Sequence, residues 1–297
     1  MSSLDEEELV YYVTLPFCVL SIIGSLFIVT IYLLLKEIRV FTFRLIFYLA
    51  LMDLLFASSF AIPWFINDYY CYVQALLMNF AGLSVILWTA TIAYTLNKSV
   101  VHEKENLESY EPYYYFIAFG IPALLEGLPF ITGSYGKAQG WCWISLGDDN
   151  HIKQYTQSWF YGQMWRLLCY YLPLWLTMGY NSWVYYRISK KIVIVLDNSK
   201  QEEKMKRMLL IRLKLYPIIL VICQTPVSML RIAYFIGMED DGMLWLSAIA
   251  GIFVILNGIL NALVYGLTDT VKNALRRYRE KYSTNFFESS SLIEGTI

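Results

Sequence analysis

Seven long apolar stretches alternate with short polar segments along this chain. They cover residues 10–35, 44–66, 72–97, 113–133, 158–186, 208–236 and 243–267. A helix needs about 20 mostly apolar residues to cross a bilayer, and each stretch reaches that length. The pattern therefore predicts an all-α membrane protein, with a seven-transmembrane helix bundle over residues 10–267.

The segment after the seventh stretch has a different pattern. Four apolar residues recur there at helical spacing with basic residues between them: Val271, Leu275, Tyr278 and Tyr282. An apolar face beside a basic face is typical of a helix that lies on a membrane surface. We therefore predict a short amphipathic eighth helix at 268–282 and a polar, disordered cytoplasmic tail at 283–297.

The composition agrees with membrane insertion and narrows the partners. The chain of 297 residues is 58% hydrophobic and 16% charged, whereas a soluble domain is about half apolar and a quarter charged. The formal net charge is −1, so no basic field indicates a nucleic-acid partner. The expected environment is a lipid bilayer.

Basic residues concentrate in the loops on one side of the predicted membrane. They are Lys36, Arg39, Arg44, Lys98, Lys104, Arg187, Lys190, Lys191, Lys200, Lys204, Lys206, Arg207, Lys272, Arg276, Arg277, Arg279 and Lys281. The loops on the other side carry only Lys137 and Lys153. Because basic loops stay in the cytoplasm, we predict a plasma-membrane protein with an extracellular N-terminus at 1–9 and a cytoplasmic C-terminus.

Two cysteines are placed to meet on the outer side. Cys71 lies at the outer end of the third stretch, directly before residue 72, and Cys142 lies in the outer loop between the fourth and fifth stretches. Since disulfides form in oxidising compartments, we predict a Cys71–Cys142 disulfide that ties this loop across the mouth of the bundle. The alternative is two free cysteines at the boundary. Trp141 and Trp143 then either contact a ligand as part of a lid or anchor the loop at the interface.

Three ionisable residues lie inside the predicted spans at a similar depth. Arg166, Arg231 and Glu126 are roughly 8–12 Å below the outer surface at a rise of 1.5 Å per residue. Charges at that depth are costly and often functional. A guanidinium binds carboxylate or phosphate well, so Arg166 and Arg231 are candidate ligand-binding residues for a small, anionic molecule. The alternative for Arg166 is an ion pair with Glu126, and Lys153 either adds a ligand contact or is solvated.

Four motifs indicate a family. The sixth stretch contains LKLYPIILVICQTPVSMLRI, the fifth YYLPLW, the seventh LNGILNALVYG and the fourth loop YGKAQGWCWI. Together they resemble the cyclic-AMP-receptor-like G-protein-coupled receptors of class E, which are related to glucose-sensing receptors and distantly to secretin and adhesion receptors. The resemblance covers most of residues 10–267. It implies a receptor that detects an extracellular small molecule and activates a heterotrimeric G protein by rearranging its cytoplasmic helix ends.

The resemblance also assigns candidate roles inside the bundle. It implies a polar activation network of Asp53, Asn257 and Asn261. Asn257, Asn261 and Tyr265 are four residues apart and share a helix face, so we add Tyr265 to this network. The alternative is a static hydrogen-bonded cluster. The third stretch ends in AYTLNKSVVHEK, without the Asp/Glu-Arg-Tyr triplet of rhodopsin-like receptors.

The basic cytoplasmic loop supplies the predicted G-protein contacts. They are Arg187, Lys190, Lys191, Lys204 and Arg207. Attraction to anionic lipid is the alternative reading of the same charges.

Other functional classes fit less well. A retinal-binding rhodopsin needs a lysine in the seventh span, and 243–267 contains none. The two histidines, His102 and His151, lie in loops on opposite sides, so we expect no catalytic residues, no metal and no cofactor. A small multi-pass transporter remains the alternative function.

Overall fold

The computed structural model describes residues 3–104, 106–138, 140–147, 157–197, 215–235, 243–266 and 268–280. This part of the chain is mostly helical. The long helices are α1 (Ser3–Leu34), α2 (Phe41–Phe60), α3 (Asp68–Leu96, extended by a π turn at Asn97–Val101), α4 (Glu108–Ile131) and α6 (Leu215–Phe235). Helix α5 joins Gln157–Arg166, a π turn at Leu167–Tyr171 and Leu172–Asp197; helix α7 joins Met243–Ile255 and Asn257–Gly266. A further helix, α8, covers 269–280.

Six of these helices are long and apolar enough to cross a membrane. They are α1, α2, α3, α4, α6 and α7, judged over the ranges that the structure describes. Helix α5 is not among the six because polar residues such as Asn181 and Ser182 interrupt its apolar sequence. The count of seven spans therefore stays a prediction, as does the position of α8 on the membrane surface.

Helix α1 begins earlier than the apolar pattern suggests. The sequence indicates a separate segment at 1–9, whereas the helix starts at Ser3. Helix α1 therefore covers part of that segment, and the assignment of residues 1–9 to the outside stays a prediction.

Prolines interrupt two of the helices. In α4 a π turn at Phe116–Gly120 precedes Pro122. In α5 the π turn at Leu167–Tyr171 precedes Pro173. Proline has no N–H and crowds the preceding turn, so the local hydrogen-bond pattern widens to a π turn.

A small β-hairpin follows α4, which the all-α prediction does not include. Strand β1 (Tyr135–Lys137) pairs antiparallel with β2 (Cys142–Ile144), with Gly136 opposite Trp143. Gly140, in the turn, has a φ of 92°, a conformation that favours glycine. We call the end of the bundle that carries this hairpin the hairpin end, and the end with the 35–40 and 102–107 loops the opposite end.

The helices enclose a core rich in aromatic side chains. Helix α1 packs on α2 and α7, α2 on α3, α3 on α5, and α6 on α7. Trp88 is fully buried and stacks on Tyr48, with ring centroids 5.2 Å apart. These contacts fix the helices around two buried polar sites, one under the hairpin and one nearer the middle of the bundle.

Candidate functional site

A disulfide attaches the hairpin to α3. Cys71 and Cys142 are bonded, their Cα atoms lie 5.2 Å apart, and the bridge spans 71 residues of sequence. The pairing that the sequence predicts is therefore confirmed. The other three cysteines, Cys18, Cys169 and Cys223, are buried and unbridged.

Gln74 holds the hairpin backbone beside this bridge. It lies one helical turn after Cys71, so both side chains share a face of α3. The Cys142 N–H donates to Gln74 Oε1 at 2.7 Å. Gln74 Nε2 donates to the carbonyls of Ser59 and Ile62 at 3.2 and 3.3 Å. Since the last carbonyls of a helix lack partners within it, one buried amide satisfies both the end of α2 and the hairpin.

A second amide on α3 orients Trp143. The indole Nε1–H of Trp143 donates to Asn79 Oδ1 at 3.0 Å. Asn79 Nδ2 donates to Tyr135 Oη at 3.4 Å, and that hydroxyl donates to the Glu126 carbonyl at 2.8 Å. Both strands of the hairpin are therefore tied to α3 and α4 by buried polar groups.

The two predicted arginines converge on the hairpin. Arg166 Nε donates to the Ile144 carbonyl at 2.7 Å, and its guanidinium lies 5.4 Å from the Trp143 ring centroid. The Arg231 guanidinium lies 5.7 Å from the Trp141 ring and 5.9 Å from the Trp143 ring. A cation over an indole face at such distances is stabilised electrostatically, more so when desolvated. Arg166 and Arg231 are 5% and 8% exposed.

The contacts of Arg166 differ from the ion pair that the sequence leaves open. Arg166 and Glu126 both lie in the described ranges, and no ion pair joins them there. Tyr135 binds the backbone carbonyl of Glu126, not its carboxylate. Arg166 instead connects α5 to the second strand of the hairpin.

The two tryptophans lie inside the bundle. Each is 5% exposed. Trp141 packs against Phe60 with ring centroids 5.7 Å apart, and Trp143 packs against Tyr170 at 5.3 Å. Anchoring at the lipid–water boundary would leave the indoles at the rim, so these contacts do not match that alternative.

Two cavities adjoin this layer of tryptophans and arginines. A small one of about 40 Å³ lies under Trp141 and Trp143. A larger one of about 570 Å³ lies between α5 and α6. Tyr171 and Arg231 line both cavities, so the two spaces share a wall.

A second polar site joins α2 to α7. Asn257 Nδ2 donates to Asp53 Oδ1 and Asn261 Nδ2 to Asp53 Oδ2, each at 2.7 Å. All three residues are buried, with at most 4% exposure. Tyr265 is not part of this hydrogen-bonded group. Its ring packs edge-on against Phe43 at 5.6 Å, and its hydroxyl has no hydrogen-bond partner in the described part of the chain.

Helix α1 completes this polar site with residues that our sequence reasoning missed. A Cβ added at Gly258 would meet Ser21 Oγ and Ser25 Oγ at 2.5 Å and Asp53 Cβ at 3.3 Å. Ser21 and Ser25 are fully buried. Two serines four residues apart in an apolar stretch share a helix face, and that spacing was the available signal.

At the opposite end, basic residues make contacts within the chain. Lys191 Nζ donates to the Val101 carbonyl at 2.6 Å and to Glu103 Oε1 at 3.0 Å. Arg187 lies over the Trp183 ring at 4.8 Å, and Lys190 over the Tyr186 ring at 4.6 Å. Lys204 and Arg207, and also Lys153 near the hairpin end, lie outside the described residues.

Nearby cations also affect His102 at this end. Its pKa is lowered from the ordinary value, first by partial desolvation and then by Lys98, Arg187 and Lys191. Arg277 of α8 pairs with Glu37 in the first loop at 2.8 Å. The opposite end therefore carries many basic side chains on its surface, and exposed side chains such as Arg277 and Glu37 make contacts between its segments.

Comparisons with known proteins give consistent matches. The family model described as slime mold cyclic AMP receptor matches residues 1–241, a range that includes both arginines and the hairpin. G-protein coupled receptor 1 of Arabidopsis thaliana is 29% identical over 271 residues, or 89% of this chain and 79% of that protein. Cyclic AMP receptor-like protein A of Dictyostelium discoideum is 31% identical over 264 residues, or 89% of this chain and 65% of that protein. G-protein coupled receptor 157 of Homo sapiens is 29% identical over 171 residues, or 54% of this chain and 50% of that protein.

Proposed function

Because this chain belongs to the slime mold cyclic AMP receptor family, we propose that it is a seven-transmembrane G-protein-coupled receptor of the plasma membrane. Its N-terminus and hairpin end face the outside, and its C-terminus and opposite end face the cytoplasm. The asymmetry of basic residues between the loops supports this orientation. Helix α8 lies along the cytoplasmic surface.

The ligand site is the layer under the hairpin. One observation carries this assignment: two buried guanidiniums, Arg166 and Arg231, meet at the indole of Trp143 in the wall of a cavity. Buried arginines recognise planar anions bidentately, and aromatic side chains supply the apolar part of a ligand site. The ligand is an anionic small molecule; cyclic AMP, which three relatives carry in their names, is one such anion.

The site of Asp53, Asn257 and Asn261 connects this layer to the cytoplasmic end. Arg231 lies on α6, which packs on both parts of α7. Asp53 binds the second part of α7 through two amides. A shift of α6 on ligand binding moves α7 against this buried group, which then exchanges hydrogen-bond partners.

The cytoplasmic ends of α5 and α6 form the G-protein contact. The contact residues are Arg187, Lys190, Lys191, Lys204 and Arg207. In the present conformation Lys191 is bonded to Glu103 and Val101, so G-protein binding exchanges an internal contact for an external one.

Guanine-nucleotide exchange tests this function. Wild type and Asp53→Asn are reconstituted in nanodiscs with purified heterotrimers of each Gα class. We expect wild type to accelerate exchange above empty nanodiscs, and Asp53→Asn to change that rate at equal amounts of folded protein. If the wild-type protein accelerates nucleotide exchange on no heterotrimer but accumulates solute in reconstituted vesicles, it is a transporter.

A further inference from the structure

The cavity between α5 and α6 opens at the outer surface of the bundle. Its wall includes Phe160, Leu167 and Ile232, which are 59%, 44% and 48% exposed. Side chains exposed on the outside of a membrane bundle face acyl chains. The volume of about 570 Å³ lies within the range of about 300–1,000 Å³ for small-molecule sites. A molecule can therefore reach this cavity sideways from the bilayer.

The wall of this cavity separates charge from apolar surface. Arg166, Arg231 and Tyr171 form its inner part, which adjoins the hairpin tryptophans. Leu167 and Trp175 continue along α5 towards the middle of the bundle. From Arg166 to Trp175 the helix rises roughly 13 Å. The α5 side of the wall runs from Trp159 to Trp175, so the cavity offers two cations near its middle and an apolar surface on the side of Trp175.

We propose that this cavity binds a single-chain amphiphilic anion. The anionic head lies at Arg166 and Arg231, and the chain lies along Leu167 and Trp175. The ligand enters from the bilayer between α5 and α6. The proposal names the ligand class of the proposed receptor. The signalling role of this ligand rests on the proposed function, whereas its binding to the cavity can be tested separately.

The chemistry of the wall favours this class over a wholly polar anion. Gln163 lies in the wall on the other side of Arg166. A polar molecule that extended from Arg166 towards Trp175 would instead place its hydroxyl and amine groups against Leu167 and Trp175, and burying such groups without hydrogen bonds is costly. An alkyl chain has no such groups. Each additional buried methylene should tighten binding, measured against aqueous concentration, about fourfold.

The position of the head also suggests how such a ligand would act. Arg231 is shared by the larger cavity and the small space under Trp141 and Trp143. A head group bound to Arg231 therefore changes the charge beside both indoles. Since Arg231 is on α6, the ligand draws α6 towards the hairpin layer that the disulfide holds on α3.

Photolabelling in nanodiscs tests the binding. The receptor is placed in zwitterionic phosphatidylcholine, and the probe is dodecanoate with a diazirine at the end of its chain. We expect label on residues of the α5–α6 wall. Excess dodecanoate should prevent the labelling. Dodecanol, which has the same chain without the charge, should compete at least about tenfold more weakly, because it lacks the hydrogen bond between charged groups.

Matched variants separate head from chain. Arg231→Gln should weaken labelling about tenfold or more, whereas Arg187→Gln, on α5 but outside the cavity, should not. Leu167→Trp fills the apolar wall and should reduce labelling. Leu176→Trp is its control, because Leu176 is 66% exposed on the same helix and does not line the cavity. If Arg231→Gln does not fold, the comparison of Leu167→Trp with Leu176→Trp still tests the proposal.

The outcomes have distinct meanings. Competition by an added anionic lysophospholipid, which has a single chain, would support the proposal and identify the bilayer as the source of the head group. Equal labelling of all lipid-facing helices in every variant would overturn it. Displacement by cyclic AMP but not by dodecanoate would also overturn it, and would leave the proposed receptor function intact. Saturable dodecanoate binding with no effect on nucleotide exchange for any Gα would support the site and count against the proposed function.

Discussion

The two ends of this bundle are held together in different ways. At the hairpin end a disulfide, buried amides and cation–indole contacts fix the hairpin on α3 and α5. At the opposite end the cross-links are ion pairs. Lys191–Glu103 and Arg277–Glu37 have side chains that are 30–68% exposed, and Arg44–Glu111 has side chains that are 15–31% exposed. Exposed ion pairs contribute little stability, whereas buried polar networks are costly to break.

This difference suggests a division of labour. A ligand site benefits from preorganised groups, because less is lost in ordering them when the ligand binds. A surface that must open for a partner needs contacts that exchange at low cost. The hairpin end has the first property and the opposite end the second. The following substitutions test whether the contrast is real.

Removal of the disulfide should have the largest effect on stability. In the chain-entropy account, a cross-link that spans 71 residues stabilises the fold by about 4 kcal/mol. We expect Cys71→Ala, Cys142→Ala and the double variant to lose similar amounts in thermal unfolding in nanodiscs. If the two single losses add in the double variant, the cysteines act separately and the bridge is not their main role.

Loss of one amide from the Asp53 site should come next. Asn261→Ala leaves one carboxylate oxygen of Asp53 without its donor, and a hydrogen bond to a charged group contributes about 1.5–3 kcal/mol. Unfolding in nanodiscs measures this loss. Ser182→Ala is the control, since Ser182 is exposed and bonds only within α5. Equal stability of the two variants would show that the Asp53 site contributes nothing to the fold.

Two glycines on α5 give a matched pair for the hairpin contact. A Cβ at Gly162 would lie 2.2 Å from the Ser145 carbonyl oxygen, whereas a Cβ at Gly179 meets nothing within 4 Å. Gly162→Ala should therefore cost about 1–3 kcal/mol through overpacking. Gly179→Ala should be neutral or stabilising by up to about 1 kcal/mol through helix propensity. If thermal unfolding shows a change in stability of the same sign for both variants, the close approach of α5 to the hairpin is contradicted.

The smallest effect on stability should come from the opposite end. Lys191→Gln removes an ion pair with Glu103 and should change unfolding by less than about 1 kcal/mol. Its effect on basal nucleotide exchange should be larger than that of Lys190→Gln, because Lys190 contacts the Tyr186 ring and pairs with no carboxylate in the described part of the chain. A loss of several kcal/mol on Lys191→Gln would remove the contrast between the ends.

Sequence reasoning succeeded where the signal is carried by local pattern or by topology. The lengths of the apolar stretches predict the helices, and the side of the membrane predicts the partner of Cys71. The grouping of Asp53 with Asn257 and Asn261 follows from the family resemblance, and helical spacing places the two asparagines on one face. Their role in activation stays a prediction.

The remaining features depend on tertiary contacts that no local pattern reveals. The hairpin has two strands of three residues each, too short for a clear period-two signal. Arg166 donates to the Ile144 carbonyl, a partner that lies in the hairpin and that no spacing along α5 indicates. Tyr265 shares a face with Asn261, yet its ring packs against Phe43 and its hydroxyl makes no hydrogen bond within the described residues.

The central claim is that the hairpin end controls the opposite end through the Asp53 site. Hydrogen exchange in nanodiscs tests it without a ligand. We compare wild type, Cys142→Ala and Cys142→Ala with Asp53→Asn. Loosening the hairpin should accelerate amide exchange in the hairpin and also in the π turn at Asn97–Val101, and the added Asp53→Asn should alter only the second change. Faster exchange confined to the hairpin would contradict the account, because it would show that the two ends are not coupled.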